Sequence, residues 1–264
     1  LWVDVDRLKE EYNKLLVIIR QLDRKVVTVF IAVAILQTIS WYYTSRRFFR
    51  LYLSDYFLED NLSDLYEYLY WYIGDFITLF VLSALIVKFF FKEKLSSYGL
   101  KLGEYKLGLL WSTVFCAVML IIIWCVSSLP SFSAAYPQLN LAKEKWAIFV
   151  LFEASLLIYI FAWEFLWRGF MLFGLEEKFG YYTVLIQMLP FVILHNGKPE
   201  LETFGAILGG VLLGILALRT RSFIYGVLVH FFVMFSIDVI SALRFRADDY
   251  GLGLNSLLNL FSNF

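Results

Sequence analysis

Cysteine, proline and histidine are scarce in this chain, and net charge is absent. The 264 residues include two cysteines, four prolines and two histidines, and 23 basic side chains balance 23 acidic ones. Cys116 and Cys125 are nine residues apart in one apolar run, which puts them on opposite faces of a helix and excludes a disulfide between them. Because there is no basic patch, nucleic acid is not an expected partner.

Apolar side chains are abundant instead. Hydrophobic residues make up 61% of the chain and aromatic residues 20%, and the mean hydropathy is +0.71. Soluble domains are about 45–50% apolar. The composition therefore predicts an all-α, polytopic bundle of transmembrane helices in a lipid bilayer, with about seven spans (six to eight).

The chain divides into four predicted regions. Residues 1–25 form an amphipathic helix, solvated or lying at the membrane interface, in which Leu8, Tyr12 and Leu15 recur at helical spacing among charged side chains. This stretch is too polar for a signal peptide. Transmembrane helices follow over 26–145, a core with the polar motifs over 146–243, and a tail over 244–264.

Seven apolar runs are predicted to be membrane spans. They lie at about 26–43, 69–91, 107–126, 146–175, from 182 onward, 204–218 and 223–243. The densest basic loop, between the second and third runs, predicts a cytoplasmic loop and a cytoplasmic N-terminus. Three arginines after the first run argue for the opposite orientation.

The most unusual stretch is Phe161-Ala162-Trp163-Glu164-Phe165-Leu166-Trp167-Arg168, which places two ionisable groups inside an apolar run. Such groups are costly at membrane depth, so they indicate function. Glu164 and Arg168 are four residues apart and face each other on a helix. The alternative is that Glu164 only neutralises Arg168 and is a poor base.

Both histidines, His195 and His230, lie in apolar surroundings. A single buried histidine is usually structural, but two of them together with Glu164 favour a reactive site. Imidazole and carboxylate groups are suited to general acid–base catalysis. The same three side chains are also a plausible zinc site with one open position, and the sequence leaves zinc and metal-free chemistry open.

Glycine and proline interrupt the apolar pattern between His195 and Glu202, in the stretch His-Asn-Gly-Lys-Pro-Glu-Leu-Glu. Irregular backbone at membrane depth has to be satisfied by protein or by a wet cavity. The stretch is therefore either a broken helix that lines a cavity, with Glu202 aimed inward, or a polar loop at the surface. Two further acids, Glu153 and Asp238, lie within apolar runs and are either functional or structural.

These residues resemble the motifs of the CAAX-prenyl-protease and bacteriocin-processing family of intramembrane proteases, the Rce1/Abi type. Members share Glu-Glu-x-x-x-Arg, then Phe-x-x-x-His, then a histidine followed four residues later by asparagine or a similar group. Glu164 and Arg168 match the first motif, Phe191 and His195 the second, and His230 the third. The resemblance covers about residues 145–243.

The resemblance implies an intramembrane protease-like hydrolase that cleaves a peptide bond in a membrane-associated, peptide or prenylated substrate. His195 and His230 would polarise water or bind zinc together with Glu164, and Arg168 would position the acid. The expected partners are a peptide or membrane-protein substrate and the bilayer. The expected location is the plasma membrane of a prokaryote.

Two positions depart from the family pattern. Trp163 stands where the first glutamate is usual, and Met234 stands where the asparagine is expected. Trp163 cannot take a proton from water as a glutamate does, and Met234 cannot donate a hydrogen bond to an oxyanion as an asparagine does. The chain is then either a branch in which Glu202 or Glu164 acts as the base, or a non-catalytic scaffold or immunity-type protein. A small transporter is a third reading, because 204–218 is rich in glycine.

Overall fold

The computed structural model describes residues 5–57 and 61–262, so the parts of the predicted elements that fall on 1–4, 58–60 and 263–264 lie outside it. Within the described residues the protein is helical and has no strand. This confirms the predicted all-α bundle.

Six of the described helices are long and apolar enough to cross a membrane. In chain order they are α2 (Arg24–Tyr52), α3 (Ser63–Phe90), α4 (Tyr105–Val126), α5 (Trp146–Ile193), α6 (Glu200–Thr220) and α7 (Ile224–Ala247). An N-terminal helix, α1 (Val5–Gln21), precedes them and contains no buried residue. A short helix, α8 (Leu254–Ser262), follows them. The number of spans agrees with the predicted range.

The helix α5 accounts for the difference between six spans and the expected seven. Its 48 residues would extend about 72 Å as a straight helix, more than twice the thickness of a bilayer core. Gly180 interrupts the helix with a φ of 52° and a ψ of −134°, and the segments on either side, Leu172–Phe179 and Thr183–Ile193, pack against each other. Two predicted spans are therefore two arms of one helical run.

The first arm of α5 is at the centre of the bundle, where it packs against α2, α3, α6 and α7. Phe165, Leu166, Trp167 and Phe170 are completely buried, as expected for a helix that is apolar on all faces. By contrast, Ile121 on α4 is 70% exposed, which fits a helix that faces lipid. The conspicuous glutamate and arginine thus lie in a completely buried part of α5.

Two short connections, one before α5 and one after it, carry further residues of interest. Between α4 and α5 the chain forms two brief helices, Pro130–Ala135 and Asn140–Glu144, and Tyr136 lies directly after the first. Between α5 and α6, residues 194–199 form a turn in which Gly197 has a φ of 97°. Glycine adopts this left-handed conformation without steric cost, so the chain can turn sharply just after His195.

Candidate active site

The carboxylate of Glu164 and the guanidinium of Arg168 form a buried ion pair inside α5. Glu164 is the last residue of an α-helical segment, and Arg168 lies in the wider π-helical turn Phe165–Met171. Arg168 Nη1 donates to Glu164 Oε1 over 3.1 Å, and both side chains are 0% exposed. The predicted pairing of these two groups is therefore present. In such surroundings each charge depends on the other.

The same carboxylate also holds a histidine from α7. His230 Nδ1 lies 2.7 Å from Glu164 Oε1. Gly226, one turn earlier on α7, makes this approach possible, because a Cβ atom there would lie 2.7 Å from Glu164 Oε2. An ionised Glu164 accepts the Nδ1–H proton, so Nε2 of a neutral His230 carries the free lone pair.

Phe191, on the second arm of α5, lies between the charged and imidazole groups. Its ring centroid is 4.0 Å from Arg168 Cζ, 4.4 Å from the His195 ring and 6.1 Å from the His230 ring. A cation over an aromatic face is stabilised by the ring quadrupole. Phe191 thus gives Arg168 a second partner and fixes the distance between the two histidines and the ion pair.

His195 follows the end of α5 and is neutral at physiological pH. Its Nδ1 lies 2.7 Å from the carbonyl oxygen of Phe191. A carbonyl can only accept, so Nδ1 carries the proton and Nε2 is the free acceptor. Burial, together with the positive charge of Lys198, lowers the pKa of His195 to about 4. His195 therefore offers a free Nε2, as the neutral tautomer of His230 also does.

Glu202 lies on the first turn of α6 and is held by two donors. Lys198 Nζ donates to Glu202 Oε1 over 2.7 Å, and the hydroxyl of Tyr136 donates to Oε2. The stretch from His195 to Glu202 thus combines the two alternatives weighed from sequence. It is a turn at the end of a helix, and its last glutamate faces inward.

One cavity of about 510 Å³ brings these polar groups together. Its walls come from α4, α6, α7, the end of α5 and the α4–α5 connection, and they are largely apolar. The polar side chains among the lining residues are those of Tyr136, His195, Glu202 and His230. Glu164 and Arg168 do not line the cavity and lie behind His230. Of the predicted site residues, three face the cavity and two support them.

The two residues that depart from the family pattern occupy different places. Trp163 is 8% exposed and packs edge-to-face on Trp167, with ring centroids 5.6 Å apart. Met234 lines the cavity itself. An apolar side chain thus stands at each of the two positions where an acid and an amide were expected.

Sequence reasoning missed two residues of this site. Tyr136 lies in a connection that carried no motif, and its position against Glu202 depends on packing between distant parts of the chain. Gly226 was one glycine among fifteen. Gly226 lies about one helical turn before His230, and this spacing was the only feature of the sequence that pointed to it. The spacing could not be interpreted without knowing that Glu164 lies opposite Gly226.

The predicted zinc ligands do not form a three-ligand group. Among residues 5–57 and 61–262, no three His, Cys, Asp or Glu side chains are placed so that they could hold a metal ion. Glu164, the third predicted ligand, already accepts from Arg168 and His230 through Oε1. As arranged, these residues do not fit that zinc site, and zinc binding stays an untested prediction.

Comparison with known proteins identifies one family. Residues 144–236 match the family described as type II CAAX prenyl endopeptidase Rce1-like. No curated protein and no solved structure matched the chain. The matched segment contains the buried ion pair, both histidines and Glu202, and it agrees with the resemblance predicted from the motifs.

Proposed function

Because residues 144–236 are Rce1-like, we propose that this membrane protein is an intramembrane hydrolase that cleaves a peptide bond in a membrane-associated peptide or protein, including a prenylated one. One observation carries the proposal: both imidazoles line the same apolar cavity, and one of them is oriented by a buried carboxylate. A structural histidine would need neither the cavity nor the carboxylate.

His230 is the proposed general base. Its Nε2 takes a proton from water in the cavity, and the resulting hydroxide attacks the substrate carbonyl carbon. Glu164 holds the ring in the correct tautomer and stabilises the imidazolium that forms, as a carboxylate does for a catalytic histidine. The imidazolium then returns its proton to the leaving amine as the C–N bond breaks, which restores the neutral base.

His195 and Tyr136 are proposed to position the reacting groups. The free Nε2 of His195 accepts a hydrogen bond from the same water and thereby orients its lone pair toward the substrate. The tetrahedral intermediate needs a donor for its oxyanion, and Met234 cannot supply one. Tyr136 lines the cavity and is the proposed donor: its single hydroxyl proton would turn from Glu202 Oε2 to the oxyanion when that charge forms.

Glu202 is the second candidate for the base, because it lines the same cavity. However, both of its carboxylate oxygens already accept hydrogen bonds, one from Lys198 and one from Tyr136. His230 has a free nitrogen and is therefore preferred. Glu202 would then act mainly by holding the Tyr136 hydroxyl in place.

The cavity supports an apolar substrate segment that arrives through the membrane. Val118 on α4 and Leu208 on α6 line the cavity and are 51% and 66% exposed. Exposed apolar side chains on two membrane-spanning helices support a cavity that opens toward lipid. A volume of about 510 Å³ is suited to an apolar side chain or part of a lipid chain. The plasma membrane of a prokaryote is the proposed location.

The test is cleavage by the purified full chain in lipid nanodiscs, followed by mass spectrometry on a panel of farnesylated and unmodified membrane-anchored peptides. Wild-type protein should cut at least one peptide. His230→Ala should lower kcat/KM by about 10²–10⁴, the usual contribution of a general base. Glu202→Gln should lower it less than His230→Ala does.

Equal product from wild type and His230→Ala, with both proteins folded, would contradict the proposal. The non-catalytic scaffold would then be the better reading, because binding of a partner does not require a free imidazole nitrogen. If Glu202→Gln were inactive and His230→Ala active, the site would be catalytic but its base would be Glu202.

A further inference from the structure

A second pair of polar side chains connects the same two helices that hold Glu164 and His230. Glu153 lies on α5, eleven residues before Glu164, and Asp238 lies on α7, eight residues after His230. Glu153 is 3% exposed and Asp238 is 1% exposed. Neither belongs to the cavity lining. The pair is separated from Glu164 by about 16 Å along the axis of α5.

No donor among the described residues reaches either carboxyl group. All four oxygen atoms are buried and accept no hydrogen bond from another side chain or from the backbone. The two helices pack against each other at this level, where the ring centroids of Phe149 on α5 and Phe235 on α7 are 6.1 Å apart, and the two carboxyl groups there are near enough to share a hydrogen bond. Carboxylate oxygens are acceptors only, so a hydrogen bond between the two groups needs a proton that one of them carries.

Two negative charges cannot remain side by side in this environment. An ionised carboxylate inside a membrane span is costly without a counter-charge, and a second one adds direct repulsion. The nearest cations have other partners: Lys143 Nζ donates to the carbonyl of Ser133, and Lys198 Nζ donates to Glu202. Neither lysine forms an ion pair with Glu153 or Asp238.

The remaining titratable groups that face the pair bring no positive charge. They come from α3, from the α4–α5 connection and from α6, and they are Tyr68, Tyr72, Tyr136 and Glu202. One further polar group is close to Asp238 along α7: the hydroxyl of Ser241, about one turn later, is 3% exposed and has no hydrogen-bond partner among residues 5–57 and 61–262. The surroundings thus favour loss of negative charge from the pair.

From this geometry we propose that Glu153 and Asp238 form a proton-binding site, in which one carboxylic acid donates its proton to the other carboxylate. The ligand of the site is a single shared proton. While the proton is bound, it links α5 to α7. When it is lost, the two charges repel and push the helices apart. The proposal does not depend on the hydrolase function, since it concerns a different pair of side chains.

The experiment uses dicyclohexylcarbodiimide, an apolar reagent that reacts with protonated carboxyl groups. Full-length protein in nanodiscs is treated between pH 6 and pH 10, and modified residues are located by mass spectrometry. Labelling is expected at Glu153 or Asp238 and should fall about tenfold per pH unit above the titration of the pair. Infrared spectra should contain a protonated-carboxyl C=O band that is missing from the double variant Glu153→Gln/Asp238→Asn.

Two other buried acids are matched controls in the same molecule. Glu67 is bound by Arg46 and Arg50, and Glu164 is bound by Arg168 and His230, so both should remain unlabelled. The proposal is overturned if wild type lacks the infrared band at pH 6. It is also overturned if sodium, but not choline, blocks labelling, because the site would then hold a metal cation. If the variants do not fold, the residues that are labelled in wild type decide the question, because Asp75, a buried acid that accepts from Thr44 and Trp71, can add to the infrared band.

Discussion

A single carboxylate oxygen, Glu164 Oε1, stabilises two groups at once: the guanidinium of Arg168 and the ring of His230. The other oxygen, Oε2, accepts no hydrogen bond among the described residues. Arg168 has no other carboxylate, and its remaining support is the face of Phe191. Loss of the Glu164 charge would therefore affect folding and reactivity together.

Glu164→Gln should lower the free energy of unfolding by about 3–5 kcal/mol, because it leaves a buried guanidinium without its counter-charge. The double variant Glu164→Gln/Arg168→Met removes both charges and should recover part of that loss. Denaturant unfolding in detergent measures both values. If Glu164→Gln were as stable as wild type, a group other than Glu164 would have to balance the buried charge of Arg168.

Gly226→Ala tests the close approach of α7 to the carboxylate. The added methyl would lie 2.7 Å from Glu164 Oε2, so His230 and Glu164 must separate. We expect kcat to fall by at least tenfold, with a smaller change in KM, because the base loses its orientation. Gly253→Ala is the control, since a Cβ there meets no atom within 4 Å. Equal kcat for both variants would exclude a positioning role for Glu164.

The lowered pKa of His195 predicts that the stability of the protein depends on pH. Its pKa of about 4 is below the usual 6.5 of an unfolded chain, so the unfolded state binds the proton more readily. Stability is therefore full above pH 6.5 and decreases by about 3 kcal/mol as the pH falls toward 4. Ring ¹⁵N shifts of His195 measure the pKa directly. Lys198→Met should raise that pKa, because it removes a nearby positive charge, and no change would exclude the lysine as a cause.

At the scale of the helices, α5 and α7 are joined by two polar pairs of different character. Glu164 and His230 form one, and Glu153 and Asp238 form the other. Helical spacing places Glu153 and Glu164, eleven residues apart, on nearly the same face of α5. It could not predict which residues of α7 lie opposite, because the offset between two helices depends on packing across the bundle. The approximate positions of the helices were predictable because the apolar runs are long, but α2 continues to Tyr52, nine residues past the predicted end of its run at 43.

The two pairs should respond differently to loss of one carboxylate charge. Glu153→Gln leaves Asp238 able to take up a proton, so unfolding free energy should fall by no more than about 1 kcal/mol. Glu164→Gln leaves Arg168 charged and should cost several times more. Parallel denaturant titrations at pH 7 compare the two variants. A larger loss for Glu153→Gln would contradict the shared proton.

At the scale of the whole molecule, the sequence predicted an all-helical membrane bundle because composition alone separates such chains from soluble ones. The number of spans was harder to predict, because the turn at Gly180 joins two predicted spans into the single helical run α5. A cavity beside Glu202 was one of two alternatives drawn from the sequence, but the walls of that cavity could not be predicted. Its walls come from five parts of the chain, and no local pattern records where they meet. The orientation in the membrane stays a prediction.

The natural cysteines test that orientation. Cys125 is exposed near the end of α4, and Cys116 is buried. The predicted topology puts the end of α4 at the outer face. A membrane-impermeant maleimide should therefore label intact cells, and Cys125→Ser should abolish the signal. Labelling that requires permeabilised cells would reverse the assignment.

The doubled-back course of α5 has a consequence for biosynthesis. Glu164, Arg168, Phe191 and His195 all belong to one continuous stretch and can come together as soon as α5 has entered the membrane. His230 arrives on α7, the last of the described spans to leave the ribosome. Until then the nascent chain carries a stable ion pair without its base. The order of synthesis thus keeps the proposed hydrolase inert until its fold is almost complete.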